Sequence, residues 1–267
     1  LKNSATRLEK YAACAFAHFM EFGLQIRERD QYELKAADMG TVMHEALEKF
    51  SKKLQENGET WKTVTDDTRD RLIEECVEET MADYGNTIFQ SSSRNQYRII
   101  RVKRILKRTV WALQQQIRQG EFEPGEFEVS FSMEDSLSAI NIDLSEHEKM
   151  RLRGRIDRVD LCETDDKVYV KIIDYKTGNT SLDLVALYYG LQLQLAVYLD
   201  AAMELEQKKH PGKQVEPAGV FYYHIDDPML DQEEDETDEA WGRRMLKALR
   251  MDCLLYTSPS PRDAHES

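Results

Sequence analysis

The segment from Leu152 to Gly178 constrains the fold more than any other part of the sequence. Its two halves alternate with the period of a β-strand, and the polar residues 163–166 between them are typical of a chain reversal. We therefore predict two strands joined by a tight turn. Residues 168–173 of the second strand are almost all apolar or aromatic, and charged residues follow them directly. This pattern is typical of a buried strand that leads into a functional site.

Asp174 and Lys176 lie two positions apart at the end of this second strand. A period of two puts both side chains on one face, with Cα atoms roughly 6.5–7 Å apart. Asp157, on the adjacent strand, can complete a cluster with them. Carboxylate oxygens are the ligands that Mg²⁺ or Mn²⁺ prefers, and a lysine beside such an ion can stabilise charge on a phosphate. A solvated Asp–Lys pair is the alternative interpretation.

Two predicted helices carry further candidates. Residues 40–54 form an amphipathic pattern that includes His44, whose neutral imidazole can add one nitrogen to an oxygen-lined metal site. A packed or solvated histidine is the common alternative. Residues 184–207 predict a second, largely apolar helix, on which Gln194 and Tyr198 share one face. An amide among leucines needs a hydrogen-bond partner, so Gln194 is a candidate site residue.

Glu128 is a weaker candidate for the same cluster. Residues 126–133 alternate as a strand, with Phe127, Val129 and Phe131 expected on one face and Glu128 on the other. The carboxylate of Glu128 can join a metal site, but the alternation favours a position that faces solvent.

A one-sided row of arginines marks the end of a helical segment predicted for residues 66–120. Seven basic residues and no acidic one occur between positions 94 and 108. Five arginines step by three or four residues along one side of the helix, opposite an apolar side. They are Arg94, Arg98, Arg101, Arg104 and Arg108. This spacing can follow a phosphate backbone, and a solvated face paired with acidic residues is the alternative.

Composition limits the setting of the chain. The net charge of −14 argues against indiscriminate coating of DNA, although a local basic surface can still bind it. The four cysteines form no C-x-x-C pair, which indicates a reducing, cytoplasmic location. No apolar run approaches the ~18 residues of a membrane span, so we expect no membrane association. The sequence does not begin with Met, and we expect it to be part of a longer protein.

The order of these elements resembles the PD-(D/E)XK nuclease fold, an α/β fold in which helices flank a central mixed sheet. Four motifs match its RecB-like branch, and they are G-x-x-x-H at Gly40–His44, G-x-I-D at Gly154–Asp157, D-Y-K at Asp174–Lys176 and Q-x-x-x-Y at Gln194–Tyr198. Each motif alone is weak, but all four in order are specific. Segments such as GRIDRVDLCE, YVKIIDYKTGN and YYGLQLQLAVYLDAA further resemble the C-terminal nuclease region of the AddB family.

The resemblance implies a role for each matched residue. His44, Asp157 and Asp174 would bind Mg²⁺, or alternatively Mn²⁺, with the main-chain carbonyl of Tyr175. Lys176 would stabilise the attacked phosphate, and Gln194 and Tyr198 would support the site and the DNA strand. The implied reaction is metal-dependent hydrolysis of phosphodiester bonds in a single strand from an unwound duplex, during resection of double-strand breaks for recombinational repair. The implied partner is an AddA-type helicase-nuclease subunit, since the chain has no G-x-x-x-x-G-K-[ST] motor motif.

The AddB resemblance also implies an iron–sulfur cluster. In that family one early cysteine, matched by Cys14, and three late cysteines hold a 4Fe–4S cluster. From the residues alone, Cys14 in a predicted helix over residues 4–25 is favoured as a buried core thiol. We expect a nuclease domain over residues 1–251, with a helical insertion at about residues 55–120 and a non-native tail at 252–267. The three late cysteines are missing, so we expect an incomplete cluster.

Two alternatives remain open at this stage. A Cas4-like single-strand exonuclease shares the motifs, although the long helical segment argues against it. A DNA-binding module with a decayed nuclease site belongs to a different functional class, and the intact set of His44, Asp157, Asp174 and Lys176 disfavours it.

Overall fold

The chain folds as a mixed sheet with helices on both faces, and the computed structural model describes residues 2–26, 36–83, 93–131, 141–143, 149–231, 236–249 and 251–255. The described helices are α1 (Ala5–Ala13), α2 (Ala15–His18), α3 (Ala36–Glu56), α4 (Asp66–Asp83), α5 (Ser93–Gln119), α6 (Leu184–Tyr188), α7 (Gln194–Lys209) and α8 (Asp238–Ala248), with a π-helical turn at Phe19–Gly23. The described strands are β1 (Lys2–Ser4), β2 (Glu123–Phe131), β3 (Asn141–Asp143), β4 (Lys149–Glu163), β5 (Lys167–Lys176), β6 (Gln214–His224) and β7 (Met251–Leu255). Within these ranges, no helix combines the length and apolar character needed to cross a membrane.

Strands β4 and β5 form the antiparallel hairpin that the sequence predicts, and the rest of the sheet is built around them. The amide of Thr164 donates to the carbonyl of Lys167 at 2.8 Å and closes the turn. On one side, β6 pairs with β5 in parallel and β7 pairs with β6 in antiparallel orientation. On the other side, β4 pairs with β1, β2 and β3. The predicted α/β fold with a mixed sheet is confirmed.

The strand β5 is buried on both faces because helices cover each of them. Its Ile173 packs into a core with α3, α4 and α5, where Phe50 and Leu106 are fully buried. Its Ile172 faces the opposite way and packs with Leu199 of α7. This two-sided burial is the physical reason for the nearly continuous apolar run in β5.

The helix predicted over residues 184–207 is interrupted, so that prediction was wrong. Helix α6 ends at Tyr188, and α7 begins at Gln194 after a turn in which Gly190 has a φ of +75°. A glycine adopts this left-handed conformation without steric cost. The side chain of Gln192 closes the connection, since it accepts from the amide of Asp183 at 2.9 Å and donates to the carbonyl of Ser181 at 2.8 Å.

The helix predicted over residues 4–25 also differs from the structure. Its N-cap is confirmed, since Ser4 Oγ accepts from the amide of Arg7 at 3.3 Å. The helix breaks at Cys14, which has extended backbone angles of −163° and 104° and caps α2 through its sulfur. Cys14 is exposed, so the interpretation as a buried core thiol was wrong. The residues on both sides of Cys14, from Tyr11 to Phe16, are exposed as well.

Strand β2 departs from simple alternation at Glu128, which has a φ of +50°. Phe127 packs on the α3 side of the sheet, whereas Val129 and Phe131 pack on the α7 side. The expectation that these three aromatic and apolar residues share one face was therefore wrong. A residue with positive φ rotates the following peptide, which reverses the side to which later side chains point.

The last described residues belong to the sheet. Strand β7 continues to Leu255 and pairs with β6, with Cys253 opposite Phe221. The sheet therefore extends past the boundary expected after residue 251. Residues 256–267 of the expected tail lie outside the described part of the chain, and the non-native origin of 252–267 stays a prediction.

Candidate metal centre

The end of β5 presents an acid and a base on one face, as the period of two predicts. Nζ of Lys176 lies 2.5 Å from Oδ2 of Asp174 and 5.1 Å from the ring centroid of Tyr222. Asp174 is only 2% exposed, whereas the side chain of Lys176 is 22% exposed. The ion pair therefore has a buried anionic end and a cationic end that reaches solvent.

Helix α3 brings His44 to the neighbouring strand. Nδ1 of His44 lies 3.2 Å from Oδ2 of Asp157, and the same oxygen accepts the amide of Tyr175 at 2.8 Å. The rings of His44 and Tyr175 meet edge to face, with centroids 5.8 Å apart. Asp157 thus joins α3, β4 and β5 through one carboxylate.

The first turn of α7 completes the cluster. Nε2 of Gln194 donates to Oδ1 of Asp174 at 3.2 Å and to the hydroxyl of Tyr198 at 3.1 Å, while its Oε1 accepts from Lys176 at 3.4 Å. A carboxylate oxygen of Glu9 on α1 accepts the backbone amide of Gln194 at 2.9 Å. The amide of Gln194, predicted to need partners, is half-buried and bridges Asp174 and Lys176. The contact with Glu9 was not anticipated from sequence.

Glu128 lies beside His44 and Asp157, so the solvent-facing position favoured from sequence was wrong. One ligand atom from each of these three residues lies within 4.8 Å of the others. The side chain of Glu128 is 6% exposed and forms an ion pair with Arg155. The positive φ of Glu128 is a backbone feature that residue alternation does not reveal.

Electrostatic repulsion is concentrated in this cluster. Burial, and secondly the charge of Asp157, raises the pKa of Glu128 to about 7 and that of Asp174 to about 6. Burial lowers the pKa of His44, but the hydrogen bond and charge of Asp157 outweigh it and the net pKa is raised. The buried carboxylates therefore favour a positive charge among them, which a proton on His44 or a bound cation can supply.

The donor set fits a divalent cation. His44 offers an imidazole nitrogen, and Glu128 and Asp157 offer carboxylate oxygens, within the spread expected of ligands around one ion. Asp174 is not a member of this group of three, and one of its oxygens lies against Lys176. The metal-binding roles predicted for Asp174 and for the Tyr175 carbonyl stay predictions.

Glu128 provides a direct test of the donor set. We expect Glu128→Gln to weaken Mn²⁺ and Mg²⁺ binding by about 10-fold or more, because it removes a negatively charged ligand and leaves the shape of the side chain. Isothermal titration calorimetry measures the effect. Glu126→Gln is the matched control, since Glu126 lies on the same strand and pairs with Lys209 of α7 instead. Equal affinities of the Glu128→Gln and Glu126→Gln variants would exclude Glu128 as a ligand.

Part of the arginine row is already paired. Arg104 and Arg108 bind the side chain of Asp227, at 2.7 Å for Arg108, and Arg101 lies 3.8 Å from it. Arg94 is exposed near the start of α5. The apolar side of α5 is buried against α3 and α4, as the spacing predicted. The role of the row in DNA binding stays a prediction.

The cysteines do not fit an iron–sulfur cluster in the described part of the chain. Cys14 and Cys253 are exposed, Cys162 is half-buried on β4, and Cys76 lies in the helical core. Burial raises the pKa of Cys76 to about 11, which disfavours the thiolate that a metal needs. The only group of potential metal ligands found among the described residues contains no cysteine.

The fold and the site define the class of protein. A model of the PD-(D/E)XK nuclease superfamily matches residues 2–261, and the chain belongs to that superfamily.

Similar proteins narrow the class further. The chain is 52% identical over 230 residues to the B-type subunit of an ATP-dependent helicase/deoxyribonuclease from Lachnoclostridium phytofermentans, a match that covers 86% of this chain and 19% of that protein. It is 41% identical over 256 residues to the protein of the same name from Alkaliphilus metalliredigens, covering 96% of this chain and 22% of the relative. The resemblance to the AddB family is confirmed by these relatives, of whose length the chain spans about a fifth.

Proposed function

We propose that this chain is a divalent-metal-dependent deoxyribonuclease domain that hydrolyses phosphodiester bonds of single-stranded DNA, with Mg²⁺ as the physiological ion. The observation that carries the proposal is the convergence of His44, Glu128 and Asp157 beside the bridged pair of Asp174 and Lys176. These residues come from α3, β2, β4 and β5, so no local pattern in the sequence brings them together. Acidic ligands next to a solvent-accessible lysine suit a reaction at a phosphate.

Each side chain has a distinct task in this proposal. His44, Glu128 and Asp157 would hold the ion, assisted by Asp174 and the Tyr175 carbonyl. When bound, the ion lowers the pKa of water and offsets the phosphate charge. Asp174 and Gln194 orient the ammonium of Lys176, whose partly accessible side chain can donate to a phosphate oxygen as negative charge develops there. Tyr198 fixes Gln194 through its hydroxyl.

We further propose that the domain acts within a larger helicase-nuclease that resects double-strand breaks for recombinational repair. The support is the name of the relatives, which describes one subunit of an ATP-dependent helicase/deoxyribonuclease. An AddA-type partner would unwind the duplex and supply the single strand. The free cysteines of the described chain, two of them exposed, support a reducing cytoplasmic location.

A cleavage assay tests the central proposal. We expect the purified chain to shorten an end-labelled, unstructured single strand in Mg²⁺ or Mn²⁺. Cleavage should stop when EDTA removes the ion. Asp165→Asn, in the exposed turn at the far end of the β4–β5 hairpin, serves as a control variant that keeps full activity. Binding of the strand in Mg²⁺ with no cleavage would instead identify a DNA-binding module with a decayed site.

A further inference from the structure

A cavity of about 330 Å³ lies between α3, α5 and the end of β6. Its volume falls at the lower end of the range typical of small-ligand sites. Its lining combines apolar side chains, including Met39 and Met43 of α3, with Arg98 and Arg101 of α5. The lining is therefore amphipathic, with an apolar floor and a rim that carries two arginines and two aspartates, Asp226 and Asp227.

The cavity adjoins the candidate metal centre. Met43 directly precedes His44, and the lining residue Thr177 directly follows Lys176. Helix α3 and this turn approach closely at Gly40, where an added Cβ would lie 3.0 Å from Oγ1 of Thr177. A ligand in the cavity would therefore lie next to the residues proposed to bind the ion and the reacting phosphate.

The charged residues at the rim of the cavity can bind the phosphate and the base of one nucleotide. Arg101 is well exposed, with 56% of its side chain accessible, and its guanidinium lies 3.8 Å from Asp227. Asp227 also binds Arg104 and Arg108, so three guanidinium groups of α5 lie around one carboxylate. Exposed Asp226 in the lining offers a carboxylate that can accept from the amino group of a base. The guanidinium of an arginine binds phosphate oxygens, and the side chain of a methionine packs against the apolar face of a base or sugar.

We propose that this cavity is a nucleotide subsite, which receives one base and sugar of the DNA strand next to the scissile phosphate while Arg101 contacts the adjoining phosphate. This inference rests on the proposed nuclease function and adds to it the path of the strand. The strand then runs from the metal centre along α5, with Met39 and Met43 beneath the base.

Cleavage kinetics with the full chain and a single strand of deoxycytidylates, whose bases carry an amino group, test the subsite. We expect Arg101→Gln to raise KM about 10-fold and to reduce the salt slope of binding by about 1, with kcat unchanged, because one charged phosphate contact is lost. Lys103→Gln is the matched control, since Lys103 lies on the same helix but pairs with Glu78 of α4 at 2.5 Å. We expect the KM of Lys103→Gln to stay within about twofold of wild type.

A second variant probes the floor without altering charge. Met39→Trp partly fills the cavity, and we expect a higher KM with unchanged Mn²⁺ affinity. Crosslinking gives a direct readout, since a strand that carries 5-iododeoxycytidine should attach to the peptide with Met39 and Met43. Unchanged KM in both the Arg101 and Met39 variants, or equal losses in the Arg101 and Lys103 variants, would overturn the subsite. Metal-dependent cleavage by the wild-type chain would still stand in that case, so the two proposals fail separately.

Discussion

Replacement of Asp174 by Asn is expected to lower metal-dependent cleavage of single-stranded DNA by about 1,000-fold, or about 4 kcal/mol of transition-state stabilisation. Asn keeps the shape of the side chain and can still accept from Nε2 of Gln194. It removes the charge that holds Lys176 and that would assist the bound ion. Single-turnover cleavage of a labelled strand measures the loss, and Asp165→Asn is the control.

The same substitution is expected to stabilise the metal-free protein. Burial and the charge of Asp157 raise the pKa of Asp174 to about 6, so the ionised carboxylate at neutral pH opposes folding. A neutral isostere removes this cost, and we expect Tm without metal to rise by about 3 °C. Mg²⁺ should then raise Tm less in the variant than in wild type. An active Asp174→Asn variant, or one with a lower Tm than wild type in EDTA, would contradict this account of the site.

Replacement of Arg158 by Met is expected to destabilise the protein by about 3–5 kcal/mol and to lower Tm by about 10 °C. Arg158 is 1% exposed and binds Asp160 through two nitrogens at 2.5 and 2.8 Å, and Asp160 is fully buried. The variant leaves this buried carboxylate with Lys171 alone, at 2.9 Å. Urea denaturation of the metal-free chain measures the change in the free energy of unfolding.

A double variant separates the contribution of the Arg158–Asp160 ion pair to stability from the contribution of packing the two side chains. Arg158→Met with Asp160→Leu should be less destabilised than Arg158→Met alone, because no fully buried carboxylate is left without its arginine, and Lys171, which loses Asp160, still has 21% of its side chain accessible to water. Arg71→Met is the surface control, since its ion pair with Glu75 is largely exposed and contributes at most about 1 kcal/mol. A double variant as unstable as the single one would show that packing, rather than charge, dominates at Arg158.

The pH dependence of stability follows from the same buried pair. Burial opposes the ionised form of Asp160, but the charges of Arg158 and Lys171 outweigh it and lower the pKa of the carboxyl. Protons therefore bind the unfolded chain more readily than the folded one. The contribution of the pair is present above pH about 4 and is lost as the pH falls further. Arg158→Met should reduce this acid dependence.

Residue spacing predicted much of the candidate site because several of its parts are local. The two-residue period of β5 put Asp174 and Lys176 on one face, and the four-residue step on α7 put Gln194 beside Tyr198. The same periodicity predicted the buried side of α5. Local periodicity does not report where an isolated backbone distortion occurs, and the predictions failed at such points. Glu128 turned inward at a positive φ, and the predicted helix over residues 4–25 broke at Cys14.

The amino-acid sequence by itself determined several of the longer helices and strands, the hairpin of β4 and β5, and the identity of most residues that bear the proposed chemistry. These properties depend on alternation, helical periodicity and short motifs, which act over a few residues. Only the tertiary structure decided that Glu128 joins His44 and Asp157, that Glu9 of α1 caps α7, and that Asp227 gathers the arginines of α5. Each of these contacts joins segments far apart in the chain, and its formation depends on how helices and sheet pack rather than on any local pattern.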